Sequence, residues 1–138
     1  MTLLWRNTVG LLCVTSLTSC SNAIDPTPSP VGSYVATTLT VIDGGQSIDL
    51  LSQGGSLTLT LESGGNTSGR LFAPAGGDNG QDLDENLAGT WSQTGNTIRF
   101  SQSADTFIRD ASWTVEGSTL RTSFTLGSTT VNAVLTKQ

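Results

Sequence analysis

The sequence predicts an all-β protein: eight strands in an antiparallel meander that closes into a small up-and-down barrel. Three observations predict it. Apolar residues alternate with hydroxyl-bearing and charged residues at period two along the chain from Val31 onward. Gly, Asn and Asp punctuate these runs where turns need them. Helix formers are scarce, with three Glu and one Lys in 138 residues and only 12% of the chain charged. Enough apolar residues remain for one packed core, and the length suits one domain.

Strands are expected at 31–41, 55–62, 67–74, 87–93, 96–101, 106–115, 118–126 and 129–136. The clearest is "SLTLTLE", with Leu57, Leu59 and Leu61 on one face and Thr58, Thr60 and Glu62 on the other. "STLRTSFTL" places Leu120, Phe124 and Leu126 on one face, and "TVNAVLT" does the same with Val131, Ala133 and Leu135. One dry face and one wet face mean antiparallel pairing. Gly95, Gly117 and Gly127 stand where tight hairpins need positive φ, so neighbours in sequence become neighbours in space. Two connections are longer, 42–54 and 75–86; the first carries enough apolar residues for a helical turn near Ile48-Asp49-Leu50-Leu51. Closure removes exposed edges, and at eight strands the interior is either filled by side chains or holds one small ligand. A two-sheet sandwich is the rival architecture.

Two stretches carry a family resemblance. The first strand opens with Gly32-Ser33-Tyr34, and residues 87–101, "LAGTWSQTGNTIRFS", combine a Gly-x-Trp strand, a Gly-Asn turn and an Ile-x-Phe strand. Both are similar to lipocalin-like domains, including bacterial ones that are themselves lipoproteins. The resemblance spans residues 31–138, with Gly-x-Tyr in place of the family's opening Gly-x-Trp. It implies a barrel and small apolar ligands, and it implies no reaction.

The N-terminal segment is organised differently. Arg6 precedes an apolar and small-residue run, Val9 to Leu17, which is too short to span a bilayer and fits a secretory signal. Leu17-Thr18-Ser19-Cys20 resembles the lipobox of bacterial lipoproteins, in which the cysteine thiol is acylated and the chain is cut before it. The expected organisation is a signal peptide over 1–19, a lipidated Cys20 and Pro-rich tether over 20–30, and a lipocalin-like barrel over 31–138. Cys13 leaves with the signal, so the mature chain has no thiol free for a disulfide. Pro26, Pro28 and Pro30 favour an extended tether of roughly 30 Å. The implied partner is a membrane, held through the lipid. The implied location is the cell envelope, with Ser21 after the cysteine leaning by resemblance towards the outer membrane.

Composition also excludes chemistry. There is no histidine, which removes Ser-His-Asp and Cys-His catalysis and the main ligand of common zinc sites. The net charge is −5 and the six basic residues do not cluster, which argues against nucleic acid. No cofactor is expected. The acids of "GGDNGQDLDEN", namely Asp78, Asp82, Asp84 and Glu85, form a weak Ca²⁺ candidate whose spacing does not fit an EF-hand; a solvated loop is the plainer reading. Asp105, Asp110 and Glu116 are formal candidates for a carboxylate pair and read better as turn acids.

Arg109 shares a phase with Phe107, Ala111, Trp113 and Val115 in the strand expected at 106–115, so strict alternation points it inward. A β-bulge could shift it, it could stack on Trp91 or Trp113, or it could receive a carboxylate ligand. Trp91, Trp113 and Phe124 either fill the core or line a cavity with it. The expected function is non-covalent binding of a small hydrophobic ligand, without enzymatic activity. The alternative is a structural or interaction lipoprotein with a solid barrel.

Overall fold

The computed structural model describes Thr27 and residues 29–138. The expected signal peptide, the expected lipidation site Cys20 and most of the expected tether lie outside the described residues. From Gly32 the chain forms ten strands in one sheet: β1 (Gly32–Asp43), β2 (Gln46–Asp49), β3 (Ser56–Leu61), β4 (Asn66–Ala73), β5 (Leu83–Asn86), β6 (Gly89–Thr94), β7 (Thr97–Gln102), β8 (Trp113–Glu116), β9 (Thr119–Leu126) and β10 (Thr129–Lys137). All pairings are antiparallel, and β10 returns to pair with β1 from Tyr34↔Lys137 to Asp43↔Thr129. The sheet is therefore a closed barrel, and the sandwich alternative falls.

Eight of the ten strands close the barrel, and β2 and β5 are short additions at one end. Each prolongs a neighbour. β1 pairs with β3 through Gly32–Val35 and with β2 through Thr40–Asp43, so β2 and β3 run along it in line, separated by the bulging segment 50–55. β4 likewise pairs with β6 through Asn66 and Thr67 and with β5 through Arg70–Ala73. Leu87 joins these two: its N–H donates to Gly69 O at 3.0 Å, and its carbonyl accepts from Thr67 Oγ1 and Gln102 Nε2. Strands approach so closely here that a Cβ on Gly69 would lie 2.1 Å from Thr58 O, which only glycine avoids.

The period-two pattern becomes burial as alternation requires. Leu57, Leu59 and Leu61 are essentially inaccessible, while Ser56 and Thr58 face water. In β1, Tyr34 and Ala36 are buried, a register shift follows between Ala36 and Thr38, and Leu39 takes up the inward phase one residue late. That bulge keeps Leu39 in the core despite the odd spacing. In β9 the inward residues are Leu120 and Thr122, whereas Phe124 is half-buried and Leu126 is 73% exposed. Leu126 stands at the rim, where no further layer covers it.

Three expectations about local structure are corrected. The strand expected at 106–115 is a helical turn, α1 (Phe107–Asp110), followed by β8 from Trp113. Phe107 and Ala111 are four apart, and positions four apart share a face in a helix as well as in a strand. Ile108 and Ala111 are the helix-side residues buried in the core. The connection 75–86 is not wholly a loop, because it holds a short 3₁₀ turn (Asp78–Gly80) and β5. The connection 42–54 holds β2 and a set of turns, not a helix; Asp49 Oδ1 accepts from Leu51 N–H at 3.0 Å and starts them.

The barrel has two unlike ends. The tight-turn end carries the β3–β4, β6–β7 and β8–β9 hairpins and both chain ends of the domain. The loop end carries the β1–β2 and β9–β10 turns, the long β4–β5 connection and α1.

Candidate functional site

The lumen is packed with side chains. Leu39, Leu57, Ile98, Leu120 and Leu135 are all fully buried and share one cluster with the buried residues of both ends. Towards the loop end, Trp113 closes the stack. Phe100 meets it edge-on at 6.0 Å, and Phe107 lies tilted against it at 6.1 Å. The Trp113 indole N–H donates to Ile108 O at 3.2 Å, which ties α1 across the opening as a plug.

Above that plug lies a cleft of ≈ 360 Å³. Its walls are Val41 of β1, Ile48 of β2, Leu50, Leu71 of β4, Leu83 of β5, Phe107 of α1 and Val131 of β10, with residues 73–76 and the polar Gln53 and Thr129 completing the lining. Every wall comes from an element that the loop end adds or terminates. Volume and lining suit a small apolar group, since ligand sites are mostly apolar and begin near 300 Å³. A larger groove of ≈ 520 Å³ runs along the outer wall of β8, β9 and β10. Its outward lining is Ser112, Thr114, Arg121, Ser123, Asn132 and Val134, a mixed surface dominated by hydroxyl, amide and guanidinium groups that water satisfies equally well.

Arg109 projects from α1 to the outside, not into the lumen. Its Nε donates to Asp110 at 2.8 Å and its Nη2 donates to Asp105. The hydrogen bond from Arg109 holds the Asp110 carboxyl below the usual carboxylate range. None of the three arrangements weighed for Arg109 describes this, because the helical turn removes the alternation on which all of them rested. Trp91 sits at the tight-turn end, half-buried, with its indole N–H donating to Glu62 O at 3.0 Å. Trp113 is core beneath the plug, and Phe124 is half-buried on β9. Thus none of the four side chains singled out from the sequence lines the cleft.

The acids of the Ca²⁺ candidate are dispersed. Asp84 faces Arg70 across β4 and β5, where Arg70 Nε donates at 2.7 Å and holds the carboxyl below its ordinary range. Asp82 Oδ1 accepts from Ala75 N–H. Among the described residues, no group of three or more His, Cys, Asp or Glu is placed to hold a metal ion. The lining residues that sequence reasoning missed are Ile48, Leu50 and Leu83. Their one signal was the presence of apolar residues inside long connections that should otherwise be polar.

Fold and cleft together define a closed eight-stranded antiparallel β-barrel with an apolar cleft at its loop end, an architecture compatible with a lipocalin-like fold. No protein-family model matches the chain, and neither a curated protein nor a solved structure matches it.

Proposed function

We propose that this protein is a lipid-anchored cell-envelope barrel that binds a small hydrophobic ligand non-covalently in the loop-end cleft. The single observation that carries the reading is the ≈ 360 Å³ cleft walled by aliphatic side chains and Phe107. The ligand sits above the plug, because the lumen beneath is occupied by side chains. The Leu17-Thr18-Ser19-Cys20 motif supports the anchor. No catalytic step is assigned. The second reading, a structural or interaction lipoprotein, is favoured by that same filled lumen.

The test is titration with a solvatochromic naphthylamine probe. Ile48 is 40% exposed at the cleft wall. An aliphatic contact contributes roughly 1.5 kcal/mol, so Ile48→Asp should weaken the probe about tenfold. Equal affinity in the variant, or no probe binding at all, favours the second reading. Native mass spectrometry of protein purified from its own membrane then identifies what it carries. Intact mass tests the anchor, which requires cleavage before Cys20 and added acyl chains.

A further inference from the structure

The chain enters the barrel at a fixed place. Pro30 is buried, and its carbonyl accepts from the hydroxyl of Tyr34 at 2.7 Å. Ser29 O accepts from Lys137 Nζ at 3.3 Å, and that ammonium lies 5.6 Å from the Tyr34 ring centroid. Residues 29 and 30 are thus clamped to the tight-turn end, at the pole opposite the cleft.

Charge is divided between the same two poles. The loop end holds every acid of residues 43–49, 78–85 and 105–110, eight carboxylates in all, with only Arg70 and Arg109 among them. The tight-turn end holds Glu62 and Glu116 against Arg99, Arg121 and Lys137. One pole is strongly acidic and the other close to neutral.

We infer that the barrel stands tight-turn end down on the membrane that anchors it, with the cleft facing away into the aqueous compartment. The inference rests on Cys20 as the lipid attachment point. Eight residues, 21–28, then separate the anchor from the clamp. At full stretch they reach about 30 Å. The 12 residues of β1, tilted as barrel strands are, give a height of about 30 Å. Inverting the barrel would demand about 30 Å, more than the roughly 25 Å that these eight residues span in the polyproline geometry favoured by Pro26 and Pro28. It would also press eight carboxylates against an anionic surface, which repels them within a Debye length. Tether and charge therefore select the same orientation. The ligand is exchanged with the aqueous side, not drawn directly from the anchoring bilayer.

The test uses the full-length lipidated protein in vesicles of phosphatidylethanolamine and phosphatidylglycerol that carry a spin-labelled quencher lipid. A thiol-reactive fluorophore is placed at Ser118→Cys, in the β8–β9 turn, or at Gln46→Cys, at the start of β2; both positions are exposed. The Ser118→Cys label should lose most of its emission and the Gln46→Cys label should keep most of its own. Quenching at Gln46→Cys as strong as at Ser118→Cys overturns the orientation while leaving the anchor standing. Failure of the full-length chain to co-sediment with vesicles, or unchanged co-sedimentation of Cys20→Ser, overturns the anchor and the orientation with it.

Discussion

At the tight-turn end, polar groups that enter the core are matched: the Tyr34 hydroxyl donates to Pro30 O and the Trp91 indole to Glu62 O. At the loop end, Gln102 Oε1 and Thr106 Oγ1 are buried without a protein hydrogen bond, and Leu126 and Ile48 stay 73% and 40% exposed. A buried oxygen left unpaired costs about 1–3 kcal/mol unless water reaches it. The same strands therefore end in one pole that is finished and one that is not. The finished pole fixes where the chain enters. The unfinished pole keeps apolar surface in contact with water.

The comparison can be broken most severely at its boundary. Trp113→Ala removes the fully buried ring that supports α1 from below. It should cost about 3–5 kcal/mol in urea unfolding, and it should weaken the cleft as well because Phe107 loses its backing. A cost near zero would mean that the plug does not depend on the stack. Tyr34→Phe probes the opposite pole more gently. Removing the hydroxyl from Pro30 O should cost about 1 kcal/mol and leave probe affinity unchanged. A loss of probe affinity in this variant would mean that the poles are coupled.

The smallest effect concerns the ion pairs. Asp84 and Asp110 have folded carboxyls held below the usual range by hydrogen bonds from Arg70 and Arg109. Their contribution is fully present above the ordinary carboxylate range and is lost as pH falls through the depressed folded values. Both are solvent-exposed pairs, so unfolding midpoints should drop only slightly on acidification, and less in 1 M salt, where charges are screened within roughly 3 Å. Arg109→Leu should remove the Asp110 part of that slope and leave the cleft as it was. A large pH effect on probe binding would contradict the placement of Arg109 outside the site.

The strands were legible because alternation along "SLTLTLE" reports burial directly, and because Gly95, Gly117 and Gly127 take positive φ in the hairpins. The plug was not, because Phe107 and Ala111 satisfy helical and strand spacing alike. β5 was hidden in an acidic stretch, since "LDEN" has little β propensity; Leu71↔Glu85 and Phe72↔Asp84 pairing and the Arg70–Asp84 bridge hold it in place. The cleft was least legible of all. Ile48, Leu83 and Phe107 lie far apart in sequence, and only barrel closure brings them to one pole. Aromatic bulk alone left core filling and cavity lining open for Trp91, Trp113 and Phe124; in the fold Trp113 is fully buried in the core, and Trp91 and Phe124 are half-buried against it.

The central claim is that apolar binding belongs to the loop-end cleft and not to the lumen. It is tested most directly by two-dimensional NMR of the methyl and aromatic groups during titration with the naphthylamine probe. The account predicts shifts at Ile48, Leu50, Leu83 and Phe107, with Leu59, Ile98 and Leu120 unmoved. Shifts concentrated on Leu59, Ile98 and Leu120 would contradict it and would place the ligand inside the barrel.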